Sequence, residues 1–155
     1  MRYAILGAAV VLADQATKHW VRAALPVDGS RPLVPGFIHL THVHNTGAAF
    51  GLFRGQTPWL IAAAVLALGL AVAFRKAIAR EPAAVQAGCA LGLGGAVGNL
   101  IDRVARGYVT DFIDLRVWPV FNLADAAIVV GALVLAWGIL TGPRTPEEKG
   151  REAHG

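Results

Sequence analysis

Residues 83–101 read AAVQAGCALGLGGAVGNLI and run directly into Asp102 and Arg103. The stretch is apolar over roughly the 17–25 residues that cross a bilayer. It ends on an amide and a carboxylate, Asn99 and Asp102, whose spacing puts them on one helix face. The same spacing returns at Asn122 and Asp125, where another apolar run begins. A charged connection between the two runs carries Asp111 and Asp114. Carboxylates set against hydrocarbon are costly and mark function by default. The chain therefore reads as a small membrane protein with acid chemistry gathered at one membrane surface.

Composition agrees. Hydrophobic residues make up 55% of the 155 and charged residues only 15%, with a mean hydropathy of +0.54. Soluble domains carry about 25% charged residues. The net charge of +4 is no nucleic-acid footprint, because Lys and Arg lie in loops and tails without interleaved aromatics. Cys89 is the one cysteine, which excludes an internal disulfide and a cysteine metal cage.

Working outward, four apolar segments are expected as helices, since backbone groups in lipid must be satisfied internally. They run from about Tyr3 to Val21, Trp59 to Phe74, Ala83 to Ile101 and Asn122 to Leu140. Met1-Arg2 before the first run, with Val11-Leu12-Ala13 inside it, also fits a cleavable leader. Its weak basic start, and the odd number of spans that cleavage would leave, favour an uncleaved first helix. If the four cross in turn, Asp14, Lys18, Asn45, Asn99, Asp102, Arg103, Asp111, Asp114, Asn122 and Asp125 share one side. Basic residues flanking the helices are nearly balanced between the sides. The density of Arg75, Lys76 and Arg80 in the short second loop favours that loop, and both termini with it, as cytoplasmic. Residues 1–141 are expected to form one membrane unit and 142–155 a charged, disordered tail.

Glycines 88 and 92, and 94 and 98, are four apart in the third segment, a spacing that lets helix backbones approach closely in lipid. They can pack inside the chain's own bundle, as expected for a monomer, or form a homodimer face. In the long first loop, Phe37 to His44 alternates like a strand. His42 and His44 share a strand face and His39 points to the other, a weak metal signal; no metal is expected. The small residues of Asn45-Thr46-Gly47-Ala48-Ala49-Phe50-Gly51 permit a substrate to approach the backbone. Asp14 and Lys18 form an i, i+4 pair, either a plain ion pair with Lys18 snorkelling outward or a support beside a site.

Ser30 is the single serine, and GxSxG, HExxH and phosphate-loop motifs are absent. Two carboxylates held close share a proton. One then acts as base on a water while the other, protonated, polarises a carbonyl and later protonates the leaving amine. That is peptide hydrolysis without metal, cofactor or covalent intermediate.

Five stretches resemble the prolipoprotein signal peptidases, the type II signal peptidases of bacteria. They are Asp14-Gln15-Ala16-Thr17-Lys18, Asn45-Thr46-Gly47-Ala48-Ala49-Phe50, residues 94–103, Val109-Thr110-Asp111-Phe112-Ile113-Asp114 and Phe121-Asn122-Leu123-Ala124-Asp125. They occur in order up to about Leu140. The resemblance implies an aspartic endopeptidase of the bacterial inner membrane. Its substrate is a prolipoprotein whose cysteine carries a diacylglyceryl group, cut just before that cysteine. The family pattern selects Asp111 and Asp125 as the catalytic dyad; the residues alone do not choose between Asp111 and Asp114. Asn99, Asp102, Arg103 and Asn122 then look like a supporting shell, with Asp14, Lys18, Asn45 and Gly47 lining the same site. The implied fold is four transmembrane helices with a small extracytoplasmic β-sheet formed largely by the first loop. The site faces the extracytoplasmic side. Two other classes fit less of the chain. A proton-coupled transporter would use Asp14, Lys18, Asp102 and Asp125 as a relay, but no repeat is visible. A scaffold pairing through the glycine-rich helix leaves the aspartates unexplained.

Overall fold

The structure, a computed structural model, describes residues 2–47 and 57–142. Most of the small-residue stretch after Gly47, and the tail beyond Gly142, lie outside the described residues. In chain order the elements are α1 (Arg2–Ala24), β1 (Ser30–Val34), β2 (Ile38–Asn45), α2 (Thr57–Ala73), α3 (Arg75–Ile78), α4 (Ala83–Arg106), β3 (Val109–Asp114) and α5 (Leu123–Thr141). The long helices fall on the four apolar segments. α4 continues past Ile101 to Arg106 and stops at Gly107, whose φ of 80° closes the helix in the left-handed conformation that glycine adopts without strain.

α4 packs against α5 on one flank and α1 on the other. Glycine makes both contacts possible. A Cβ on Gly88 would come within 2.6 Å of the Leu135 backbone nitrogen, and one on Gly131 within 2.6 Å of that of Gly92. A Cβ on Gly94 would sit 2.8 Å from the Gly7 carbonyl oxygen. Glycines 88, 94, 95 and 98 thus admit α1 or α5, and the close approaches lie within this bundle. The pairings also fix direction. Gly7 and Asp14 of α1 lie against Gly94 and Gly98 of α4, so α1 and α4 run parallel. Val85 and Gly95 of α4 face Gly138 and Ala124 of α5, so that pair is antiparallel.

The outer surface is apolar. Trp59 is 74% exposed and Leu140 83%, and α2 buries none of its residues. Such an exterior suits hydrocarbon rather than water. By length and composition α4 and α5 can each cross a membrane, while α2 is a shorter apolar helix.

The compact core lies at one end, where Val21 of α1 and Leu25 just beyond it meet Leu40 and Phe112 of a three-stranded antiparallel sheet. Strand order is β1-β2-β3. The predicted first-loop strand is β2, and β1 pairs with it as a hairpin. β3 corrects the sequence reading, in which Asp111 and Asp114 sat in a plain connection. Its residues are buried on both faces, so it lacks the apolar–polar alternation that marks a half-exposed strand.

Candidate active site

α1, α4, β2, β3 and the start of α5 converge on one buried polar cluster. Its centre is Lys18, wholly buried. The ammonium contacts Asp14 Oδ2 at 2.8 Å, donates to Asn99 Oδ1 at 2.9 Å and lies 3.5 Å from Asp102 Oδ2. Breaking a buried pair of this kind costs about 3–5 kcal/mol, because the remaining charge is stranded. Asp14 uses its other oxygen to accept from the backbone N–H of Ala124 at 3.0 Å, which pins α1 to the first turn of α5. Asp102 accepts from the Thr110 N–H at 3.0 Å and from Arg106 at 2.9 Å, so it ties α4 to β3. Asn99 and Asp102 share one buried face of α4, as their spacing predicts.

The second Asn-x-x-Asp works differently from a shared helix face. Asn122 lies just before α5 as its N-cap and accepts from the Asp125 N–H at 2.9 Å. The Asp125 carboxylate in turn accepts from the Asn122 N–H at 3.2 Å. This reciprocal capping box orients both side chains at the helix start.

From these supports, the four oxygens of Asp111 and Asp125 each receive one N–H donor. Asn122 Nδ2 donates to Asp111 Oδ1 at 2.6 Å, and Asn45 Nδ2 to Asp111 Oδ2 at 2.8 Å. Asn99 Nδ2 donates to Asp125 Oδ1 at 2.7 Å, while the Asn122 backbone serves Oδ2. Lys18 and Asn122 Nδ2 both donate to Asn99 Oδ1, which turns the Asn99 amide nitrogen toward Asp125. Burial, and then the charge of Asp125, push the Asp111 carboxyl from 3.8 up to about 7.

Asp114 stands apart. Three positions along a strand reverse the face, and Asp114 accepts from Thr41 Oγ1 at 2.9 Å and from the Arg116 N–H at 2.8 Å. Partial burial opposes its ionisation, but these hydrogen bonds and the Arg116 charge outweigh it and hold the carboxyl below its usual range. Strand parity thus separates two aspartates that the sequence left equivalent.

Gly47 and Arg103 also belong to this end. Arg103 Nη2 donates to the Gly47 carbonyl at 3.1 Å, and the Gly47 N–H donates to Asn45 Oδ1 at 2.9 Å. Of the three histidines, His42 and His44 meet edge to face with ring centroids 5.1 Å apart, and His39 stands away from them. His39 meets Arg116 and Ser30. His42 Nδ1 bonds the Leu25 carbonyl at 2.9 Å, and His44 stacks on Tyr108. Among the described residues, no three His, Cys, Asp or Glu side chains are grouped to hold a metal ion.

Arg22, Arg106 and Thr110 are participants that sequence reasoning passed over. Arg22 donates to Thr110 Oγ1 at 2.9 Å and lies 3.8 Å from Asp102. Arg106 is four residues after Asp102 and Arg22 four after Lys18, a helical spacing that was the available signal. Thr110 contributes through its hydroxyl and through its backbone N–H, and no side-chain pattern announces the second.

An apolar helical bundle whose buried carboxylates, amides and ammonium collect at one end defines a membrane enzyme. Comparison with known proteins makes this specific. The model of the signal peptidase (SPase) II family matches residues 6–141, and the chain belongs to that family of peptidases. It is 43% identical to a lipoprotein signal peptidase of Moorella thermoacetica over 98% of this chain and 99% of that one. It is 47% identical to one from Dehalococcoides mccartyi, covering 81% of this chain and 80% of that. A solved bacterial membrane enzyme, determined by the in meso method at 2.3 Å resolution, superposes with a TM-score of 0.85 at 29% identity, covering 94% of this chain and 92% of that one.

Proposed function

We propose that the chain is an aspartic endopeptidase that removes the signal peptide from diacylglyceryl-modified prolipoproteins, cutting before the lipidated cysteine. Asp111 and Asp125 are the catalytic pair. The observation that carries this reading is the set of four amide donors, one on each carboxylate oxygen. Such a cradle fixes both carboxyls while leaving each oxygen a second lone pair for a water or a shared proton. The pair holds one proton near neutrality. The ionised carboxylate takes a proton from water as its oxygen attacks the scissile carbonyl. The protonated carboxyl hydrogen-bonds the carbonyl oxygen as charge develops there. Transfer of a proton to the amine nitrogen then lets the C–N bond break.

α1, α2, α4 and α5 each cross the bilayer, with both termini cytoplasmic and the aspartates at the extracytoplasmic rim. The parallel α1–α4 and antiparallel α4–α5 pairings support alternate crossing, and Arg75 and Lys76 at the far end support that orientation. A lipid-anchored substrate stays in the membrane, so its scissile bond is met near the surface. The close glycine contacts are used within one bundle, which supports a monomer.

The test is a gel-shift assay on a purified, diacylglyceryl-modified precursor. Asp111→Asn and Asp125→Asn are each expected to abolish processing, by at least about 10³-fold, while eluting and melting as folded protein. Retained cleavage by either variant would remove that residue from the pair.

A further inference from the structure

At the end of the bundle away from the aspartates, a groove of about 780 Å³ opens between α1, α4 and the α2–α3 junction. It exists because α1 and α2 hardly touch, each leaning on α4 instead. Its walls are mainly apolar, with Ala8 and Val11 on α1 and Leu93 and Val97 on α4, and Gln86 also lines it. Its volume lies in the ~300–1,000 Å³ range of small-ligand sites. Arg75 and Lys76 also line it. Among the described residues no carboxylate forms an ion pair with either, and Arg75 makes one bond, to the Val72 carbonyl at 3.1 Å.

We propose that this groove binds an anionic phospholipid, with an acyl chain laid between α1 and α4 and the headgroup phosphate held by Arg75 and Lys76. Charge complementarity selects this occupant. An apolar channel ending in two cations that no carboxylate pairs among the described residues matches an amphiphile with an anionic head. The other long apolar body this membrane enzyme meets is a substrate's leader helix, but leaders begin with a basic segment, which Arg75 and Lys76 would repel. A zwitterionic lipid brings its own cation to the same place and gains less. The inference uses the helices' membrane setting and is independent of which residues cut the substrate.

Cys89 lines the groove and is the chain's one cysteine, so it can carry a small fluorescent bimane. The labelled protein in detergent is titrated with phosphatidylglycerol or phosphatidylcholine bearing identical brominated chains, and quenching is recorded. Native mass spectrometry of unlabelled protein counts bound lipid. Phosphatidylglycerol is expected to act at about fivefold lower concentration or better, the effect of one or two cations near a headgroup. Raised salt should shrink this preference in the unaltered chain. In Arg75→Gln/Lys76→Gln the preference should vanish with precursor cleavage unchanged. Equal quenching by both lipids, salt-insensitive preference, or a preference that survives the double substitution would overturn the proposal. So would relief of quenching by a synthetic leader peptide, which would make the groove a peptide site. Retained cleavage in Asp111→Asn would sink the catalytic assignment and leave this readout untouched, so the two readings fail separately.

Discussion

A single carboxyl illustrates how much local environment controls this site. Asp111 is buried among amides and holds its proton up to about 7, against 3.8 when exposed. The sign of the consequence follows. Below 3.8 the folded and unfolded chains are both protonated there and nothing is lost. As the pH climbs from 3.8 to about 7 the unfolded chain releases the proton first, so stability falls, and above that range it levels off. The melting temperature in detergent is therefore expected to decline across this window, and Asp111→Asn to show a flatter profile. Processing should hold to near neutrality and then fall toward tenfold per pH unit as the shared proton is lost. An alkaline limb unchanged in position after Asn45→Ala, which deletes one of the donors favouring the ionised form, would count against Asp111 as the titrating group. The expected shift is upward.

Helices and strands were legible to different degrees, for physical reasons. The helices are runs of hydrocarbon bounded by charge, and the bilayer's thickness gives such runs a readable length. The site residues on α1 and α4 were equally readable, since Asp14 with Lys18 and Asn99 with Asp102 follow helical spacing. β3 was not, because a strand covered on both faces has no period-two pattern. That Asp111 and Asp114 have different surroundings depends on strand parity, so the sequence alone left them equivalent and the choice of Asp111 rested on family resemblance. The capping role of Asn122 was hidden for a related reason: its spacing to Asp125 suits both a helix face and a cap. The glycines give a prediction at this scale. A Cβ on Gly131 would press on the backbone of Gly92 and Gly88, whereas one on Gly92 meets open space. Gly131→Ala should destabilise by about 1–3 kcal/mol. Gly92→Ala should be neutral or stabilising by about 0.5–1 kcal/mol. Thermal melts of both variants in one detergent check the pair; equal losses would mean that α4 and α5 are not packed this way.

For the molecule as a whole, polarity is segregated by end rather than by inside and outside. The aspartates, Lys18 and the sheet occupy one end, while Arg75 and Lys76 mark the other. Crossing of the bilayer by α1, α2, α4 and α5 predicts opposite labelling of two positions. In a Cys89→Ala background, a membrane-impermeant maleimide added to intact spheroplasts should modify Ser30→Cys. It should reach Arg80→Cys only after lysis, with at least about tenfold contrast. Labelling of both from outside would reverse or dismantle the topology.

The wholly buried Lys18 also constrains how the chain is made. Its partners Asn99 and Asp102 are synthesised some eighty residues later, and Asp14 waits for Ala124. If α1 crosses the bilayer as proposed, it enters before those segments emerge from the ribosome, with a charged pair whose outer partners do not yet exist, an arrangement lipid penalises. Its commitment to the membrane is thus completed by the end of translation, and chains truncated before α5 should be left as substrates for membrane quality control.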